Sequence, residues 1–181
     1  MNTKSRRPND EDLSLPAHRA LVDRVDGECV LKVLADQLDW MCNLEGSLSA
    51  ELVDCVHAPY TWTVRQVVEH CVDAERIFGE RMLRIAAGDP TDLPAWDENA
   101  YADAQFGLGD LGDLISELGN LRQANLLLLG RIVPAAWDRV GCVDSHPITP
   151  RGIAWLTAGH LQHHFEIIER RCEISPQRSP V

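Results

Sequence analysis

None of the six cysteines (Cys29, Cys42, Cys55, Cys71, Cys142 and Cys172) forms a C-x-x-C pair with another. That scatter excludes a zinc ribbon and a thioredoxin-type redox site, and it leaves reduced, mostly buried thiols as the expectation. No run of about 18 unbroken apolar residues exists, so no membrane span is expected. The basic residues near the start, Lys4, Arg6 and Arg7, lead into no apolar stretch. No secretory signal is therefore expected, and the expected location is the cytoplasm. Positive charge is also scarce: 17 Lys and Arg stand against 28 Asp and Glu, a net charge of -11 at pH 7. With no basic stripe to offset repulsion from a phosphate backbone, nucleic acid is not an expected partner. Sustained alternation with β-branched enrichment is missing as well, which leaves almost no strand signal.

What the sequence does carry is helical period. The chain of 181 residues suits one core, read here as an all-α, four-helix-bundle domain over residues 13–174 between flexible tails at 1–12 and 175–181. The first helix is expected from about Cys29 to Leu48, with Val30, Val33, Leu34, Leu38, Met41 and Leu44 on one stripe and an extra turn within Ser49 to Val53. The second opens on a capping-box pattern, Thr63 followed by Gln66, and runs to Ala87, where Gly88, Asp89 and Pro90 stop it. A long polar loop follows through Pro94, Trp96, Asp97, Glu98 and Asn99. The third helix is expected from roughly Leu108 to Ile132, although Gly109, Gly112 and Gly119 weaken its early turns. Thr149 caps the fourth, with Pro150 at its first position, and that helix is expected to reach about Glu173.

Helix four contains Gly159-His160-Leu161-Gln162-His163-His164. An α-helical turn places His160 and His164 on one face, the same side as Ile153, Leu156 and Ile167, so both imidazoles are expected to point into the bundle. Such an i,i+4 pair can reach one zinc-like ion at about 2.0 to 2.1 Å if a facing helix supplies a third ligand. His70 is the candidate, flanking the stripe Val67, Cys71, Phe78 and Ile85 near the start of helix two. One buried imidazole is ordinarily a hydrogen-bonded core residue; three that converge are better satisfied by a cation. A divalent transition metal on His70, His160 and His164 is therefore expected. His163 and Glu98 are expected to back the ligands. Asp97, Asn99 and Arg81 are the catalytic candidates, the first two from the loop and Arg81 from the face of helix two that carries His70. Their ordinary reading is solvated polar groups and a surface ion pair. His18, His57 and His146 read as surface residues.

Four segments together resemble the DinB/YfiT-like superfamily: Trp62-Thr63-Val64-Arg65-Gln66-Val67-Val68-Glu69-His70, Asp73-Ala74-Glu75-Arg76-Ile77-Phe78, Asp97-Glu98-Asn99-Ala100-Tyr101, and Gly159-His160 through His163-His164. The resemblance covers about Cys29 to Glu173. It implies an up-down-down-up four-helix bundle, a three-histidine site for nickel or zinc at His70, His160 and His164, and a homodimer. Members include transferases and an isomerase that use low-molecular-weight thiols such as bacillithiol or mycothiol, so a thiol-dependent S-transferase acting on a small molecule is the first functional expectation. A hydrolase that uses metal-bound water is the second. The remaining readings are a metal- or ligand-binding module without turnover and a dimerising bundle whose histidines only hydrogen-bond.

Overall fold

The computed structural model describes residues 6–104 and 109–178. Its long helices are α2 (Val30–Ser47), α4 (Val64–Ala87), α6 (Leu111–Arg131) and α7 (Pro150–Cys172), joined by short α1 (Pro16–Val22), α3 (Ala50–Val53) and α5 (Glu98–Ala104). The long helices form the expected up-down-down-up bundle. In it α4 packs against α6 and α7, while α2 packs against α6 and α7 from the other side. Sequence neighbours α2 and α4 therefore sit on a diagonal. No described helix is long and apolar enough to cross a membrane.

Local chemistry sets the helix ends. At α4 the Thr63 hydroxyl accepts the Gln66 N–H at 3.2 Å, and the Gln66 amide oxygen accepts the Thr63 N–H at 2.9 Å. Two N–H groups without intrahelical partners are thereby satisfied reciprocally. The helix stops at Gly88, whose φ of 84° is left-handed and costs little without a Cβ. The Asp110 side chain caps α6 by accepting the Gly112 N–H at 2.9 Å. The expected start of that helix at Leu108 lies outside the described residues. Thr149 caps α7 by accepting the Gly152 N–H at 3.1 Å, with Pro150 at the first position as expected.

Two apolar clusters fill the bundle. One gathers Met82, Trp137, Ile153 and Trp155; the other gathers Met41, Val68, Leu118 and Phe165. Between them, along each long helix, falls a polar layer that reaches all four. Arg122 of α6 is fully buried and clamps the Glu75 carboxylate of α4 through two bonds of 2.9 Å. It also donates to the Gln37 amide oxygen of α2 at 2.6 Å, and Gln37 donates in turn to the Ala158 carbonyl of α7 at 2.9 Å. Asn125 donates to the Glu75 carboxylate at 2.9 Å. Buried charge of this kind is tolerated because every partner is in place.

Three departures from the sequence reading bear on the site. The expected polar loop after α4 contains β1 (Asp92–Leu93) and α5, and the connection before α7 is a hairpin of β2 (Gly141–Val143) and β3 (His146–Ile148). Strand β1 pairs parallel to β2, which pairs antiparallel to β3. These strands have two or three residues each, too short for an alternation pattern to register. Next, residues 6–12, read as a frayed tail, lie against the start of α7: buried Asp12 accepts from the Thr149 hydroxyl at 2.9 Å, and the Trp155 indole donates to the Arg6 carbonyl at 2.7 Å. At the other end Arg178 lies over the Trp40 ring at 4.0 Å, so residues 175–178 fold back rather than trail. Finally, α1 was not expected. It packs on α7 so closely that a Cβ on Gly159 would fall 2.4 Å from the Leu21 carbonyl oxygen, which makes glycine the residue that fits beside His160.

Candidate metal centre and its cavity

Helix α4 brings His70 to α7 two turns after the Thr63 cap, and α7 presents His160 and His164 one turn apart. The His70 Nε2 lies 2.9 Å from Nε2 of His160 and 3.1 Å from Nε2 of His164. The three nitrogens form a cluster within 4.8 Å. A tetrahedral ion with bonds of 2.0 to 2.1 Å sets its ligand nitrogens roughly 3.3 Å apart, so the observed spacing is close to that of a ligand set.

Each imidazole nitrogen offers one in-plane site, either an N–H or a lone pair, so a proton on His70 Nε2 reaches the other two nitrogens only as a shared, three-centre bond. One cation satisfies three lone pairs at once. The donor set of three imidazoles suits zinc, nickel and related divalent ions, and the residues present therefore fit such a metal.

The surroundings keep the rings neutral. Burial pushes the His70 pKa down to about 4. Burial also pushes His160 well below the ordinary histidine value, with His164 and His70 adding repulsion, and His164 is lowered the same way. Neutral imidazole is the form that ligates. Trp96 stacks on His70 with centroids 5.2 Å apart at 13°, and Trp62 covers it from a second side at 5.3 Å. The His70 Nδ1 and the Trp96 Nε1 are buried without hydrogen-bond partners among the described residues. Neighbouring Cys71 is buried, and that burial raises its thiol pKa, so Cys71 is a core residue with no thiolate to offer.

A cavity of about 340 Å³ adjoins the cluster at His160. Leu21 from α1, Phe78 and Arg81 from α4, Trp96 from the loop before α5, Ile148 from β3 and Leu156 from α7 contribute to its wall. The Phe78 ring meets His160 edge-on at 5.5 Å. The volume falls in the range of small-molecule sites, and the mix of an apolar wall with a few polar groups is typical of them.

The structure sorts the other expected residues. Arg81 faces the cavity, and its guanidinium donates to the Pro94 carbonyl at 2.8 Å. Glu98 also faces it, with a carboxyl pKa raised by burial and by Asp97. Asp97 is turned to a different task, capping α5 by accepting the Ala100 N–H at 3.0 Å, and Asn99 is exposed on α5 away from the cavity wall. His163 stays outside the three-nitrogen cluster and packs against the His164 ring at 5.1 Å. The histidines read as surface residues divide: His57 lies near the Leu52 carbonyl at 3.2 Å, while His18 and His146 face the cavity. His146 is exposed as read and His18 is half-buried; their place on the cavity wall was not legible because α1 and the hairpin that carry them left no clear sequence signal.

A four-helix bundle with a buried histidine triad opening on a ligand-sized cavity defines the class: a helical protein with a candidate metal centre in its core. The DinB superfamily model matches residues 41–168, and the chain belongs to that superfamily. Among solved structures it is similar to YfiT from Bacillus subtilis, described as a probable metal-dependent hydrolase with an unusual four-helix bundle topology. The match has 19% identity and a TM-score of 0.67, covering 97% of this chain and 100% of that one. At that identity the likeness shows the fold. No curated protein matches the chain.

Proposed function

We propose that the chain is a divalent-metal-dependent enzyme in which Nε2 of His70, His160 and His164 hold the ion and the adjoining cavity takes a small-molecule substrate. The observation that carries this reading is the meeting of three imidazole nitrogens from two helices within 4.8 Å of one another, a donor set that one divalent ion matches directly. When bound, a divalent ion on neutral imidazoles keeps its full charge and lowers the pKa of an exchangeable ligand, supplying a nucleophile at neutral pH. The chain's own residues do the rest. Trp62 and Trp96 exclude water from the His70 side, and Phe78 holds the His160 ring edge-on where the cavity begins. His160 belongs to both the triad and the cavity wall, so a substrate's reacting atom belongs at that end.

The first reaction we assign is S-transfer, with a low-molecular-weight thiol as cosubstrate and zinc or nickel as the ion; family membership supports it. Hydrolysis is the second, favoured by the description of YfiT. A homodimer acting on small molecules in the cytoplasm, without nucleic-acid or membrane partners, completes the proposal. The test joins metal analysis of purified protein to two assays: thiol consumption with a generic electrophile, and turnover of a chromogenic ester. Stoichiometric metal with one activity that chelator abolishes and His160→Ala removes supports the enzyme. Tight metal retention with neither activity leaves a binding module, and absence of stoichiometric metal overturns the proposal.

A further inference from the structure

Three nitrogen-bearing side chains that play no part in the triad converge on the cavity from separate elements: His18 from α1, Arg81 from α4 and His146 from β3. Arg81 is half-buried, and among the described residues it forms no ion pair; its one partner is the neutral Pro94 carbonyl at 2.8 Å. The nearby Glu80 is engaged elsewhere, accepting from Arg84 at 3.1 Å. Two other carboxylates face the cavity, Glu98 and Asp144, both exposed, and neither pairs with Arg81. In a chain with a net charge of -11, the half-buried Arg81 guanidinium has no direct ion pair among the described residues, and burial lowers its pKa more than the nearby Glu80 carboxylate raises it. Burial lowers the His18 pKa, with repulsion from Arg81 and His146 adding to it, so these groups share one region of the wall. An anion entering there relieves both effects.

Position fixes the rest of the ligand. Arg81 follows Phe78 by three residues, one helical turn, and Phe78 meets His160 at 5.5 Å. Leu15, Leu21, Phe78, Ile148 and Leu156 add apolar surface to the same cavity wall. A guanidinium, apolar side chains and one imidazole of the triad thus share one cavity, which suits a ligand that is anionic in one part and apolar in another. We propose that the cavity binds a small molecule with a carboxylate at one end, clamped by Arg81 with the assistance of His18, and an apolar body about the length of a phenyl ring that points its other end toward His160. Guanidinium is suited to this task because its planar fork donates to both carboxylate oxygens. The inference rests on the proposed function for what happens at the triad, but the clamp itself needs no metal.

The experiment is a titration of 3-phenylpropionate and its neutral counterpart 3-phenylpropionamide, by calorimetry, into metal-loaded and into chelator-treated protein. In both preparations the carboxylate is expected to bind about tenfold more tightly than the amide. Arg81→Gln is expected to erase that preference and His18→Gln to reduce it roughly threefold. Arg81→Lys, which keeps the charge and loses the fork, is expected to retain part of it and guards against a folding defect in the glutamine variant. Equal binding of the two probes by chelator-treated wild type overturns the clamp, as does a preference that survives Arg81→Gln, and so does failure of both probes to bind. Preference seen only in metal-loaded protein assigns the carboxylate to the triad and likewise overturns it. The outcomes separate from those of the proposed function: metal held without the preference sinks the clamp alone, and the preference without stoichiometric metal sinks the enzyme alone.

Discussion

Of the buried polar groups on helix α4, His70 and Glu75 stand five residues apart, and the bundle treats them in opposite ways. Around Glu75 every strong donor and acceptor is matched: Arg122 grips both carboxylate oxygens at 2.9 Å, Asn125 adds a third bond, and Gln37 carries the network on to α2 and α7. Around His70 the pairing is incomplete. Three Nε2 atoms crowd one point, and Nδ1 of His70 and of His163 are buried without partners among the described residues. A folded chain rarely leaves buried polar atoms unmatched unless something else is meant to match them. The difference suits a first group that holds the helices together and a second that is the proposed metal site. Changes at the two places should then separate stability from metal affinity.

The largest expected effect tests the structural half. Glu75→Ala strands a fully buried guanidinium, and breaking a buried pair from one side costs about 3–5 kcal/mol. Urea unfolding of the chelator-treated protein measures it, while metal stoichiometry per folded molecule stays at the wild-type level. Replacing both partners, as in Glu75→Leu with Arg122→Met, removes the stranded charge and should restore most of that stability. A single-variant loss under about 1 kcal/mol would show that the layer is incidental, and the contrast would collapse.

The functional half predicts the reverse pattern. Removing a residue that only supports a ligand already weakens metal binding roughly 10- to 100-fold, so His160→Ala, which removes a proposed ligand, should exceed that range in equilibrium dialysis against zinc or nickel. Stability of the chelator-treated variant should change far less than in Glu75→Ala. Comparable losses of stability in both variants would place the triad in the same structural class as the polar layer.

Acid sharpens the comparison further. Burial holds the His70 pKa down at about 4 and puts His160 and His164 well below the ordinary value of 6.5. Because the folded values are depressed, the unfolded chain takes up protons first as pH falls. The His70 contribution to stability is complete above pH 6.5 and is lost on the way down to about 4, and those of His160 and His164 decline from the same upper limit. Metal should likewise remain bound below the pH at which free histidine protonates, then dissociate on approach to that lower value. Chelator-treated His160→Ala should show a shallower loss of stability across the same window; an unchanged slope would assign the acid sensitivity to other groups.

Much of this was legible where the signal is local. The capping box at Thr63 and Gln66, the Thr149-Pro150 start and the i,i+4 step from His160 to His164 depend on a few neighbouring residues, and all appear as read. His70 could be chosen because its angular position on α4 is calculable. The polar layer was passed over although Gln37, Glu75 and Arg122 interrupt apolar stripes at core positions, which is the trace a buried network leaves. The cavity's remaining walls were not readable. Helix α1 has seven residues, the strands two or three, and their placement depends on contacts such as Asp12 with Thr149 that link positions 137 residues apart. The same distance explains why His18 and His146 read as surface residues.

The smallest expected effect falls between the two groups and shows whether they are mechanically separate. Thr63→Ala removes the cap of α4 and should cost about 1 kcal/mol in urea unfolding. Its first turn is then free to fray, and His70 lies two turns inside the helix while Glu75 lies deeper, held by Arg122 and Asn125. Fraying therefore reaches the triad before the polar layer. Metal affinity should fall by a few-fold, roughly what a fraction of 1 kcal/mol corresponds to. Slow amide exchange at residues beside Glu75 should persist, because opening there requires breaking the four-helix network. If the metal affinity is untouched while exchange near Glu75 accelerates, rigidity at His70 comes from Trp62 and Trp96 instead of from the helix, and the two regions are coupled through the core in a way their hydrogen bonding does not suggest.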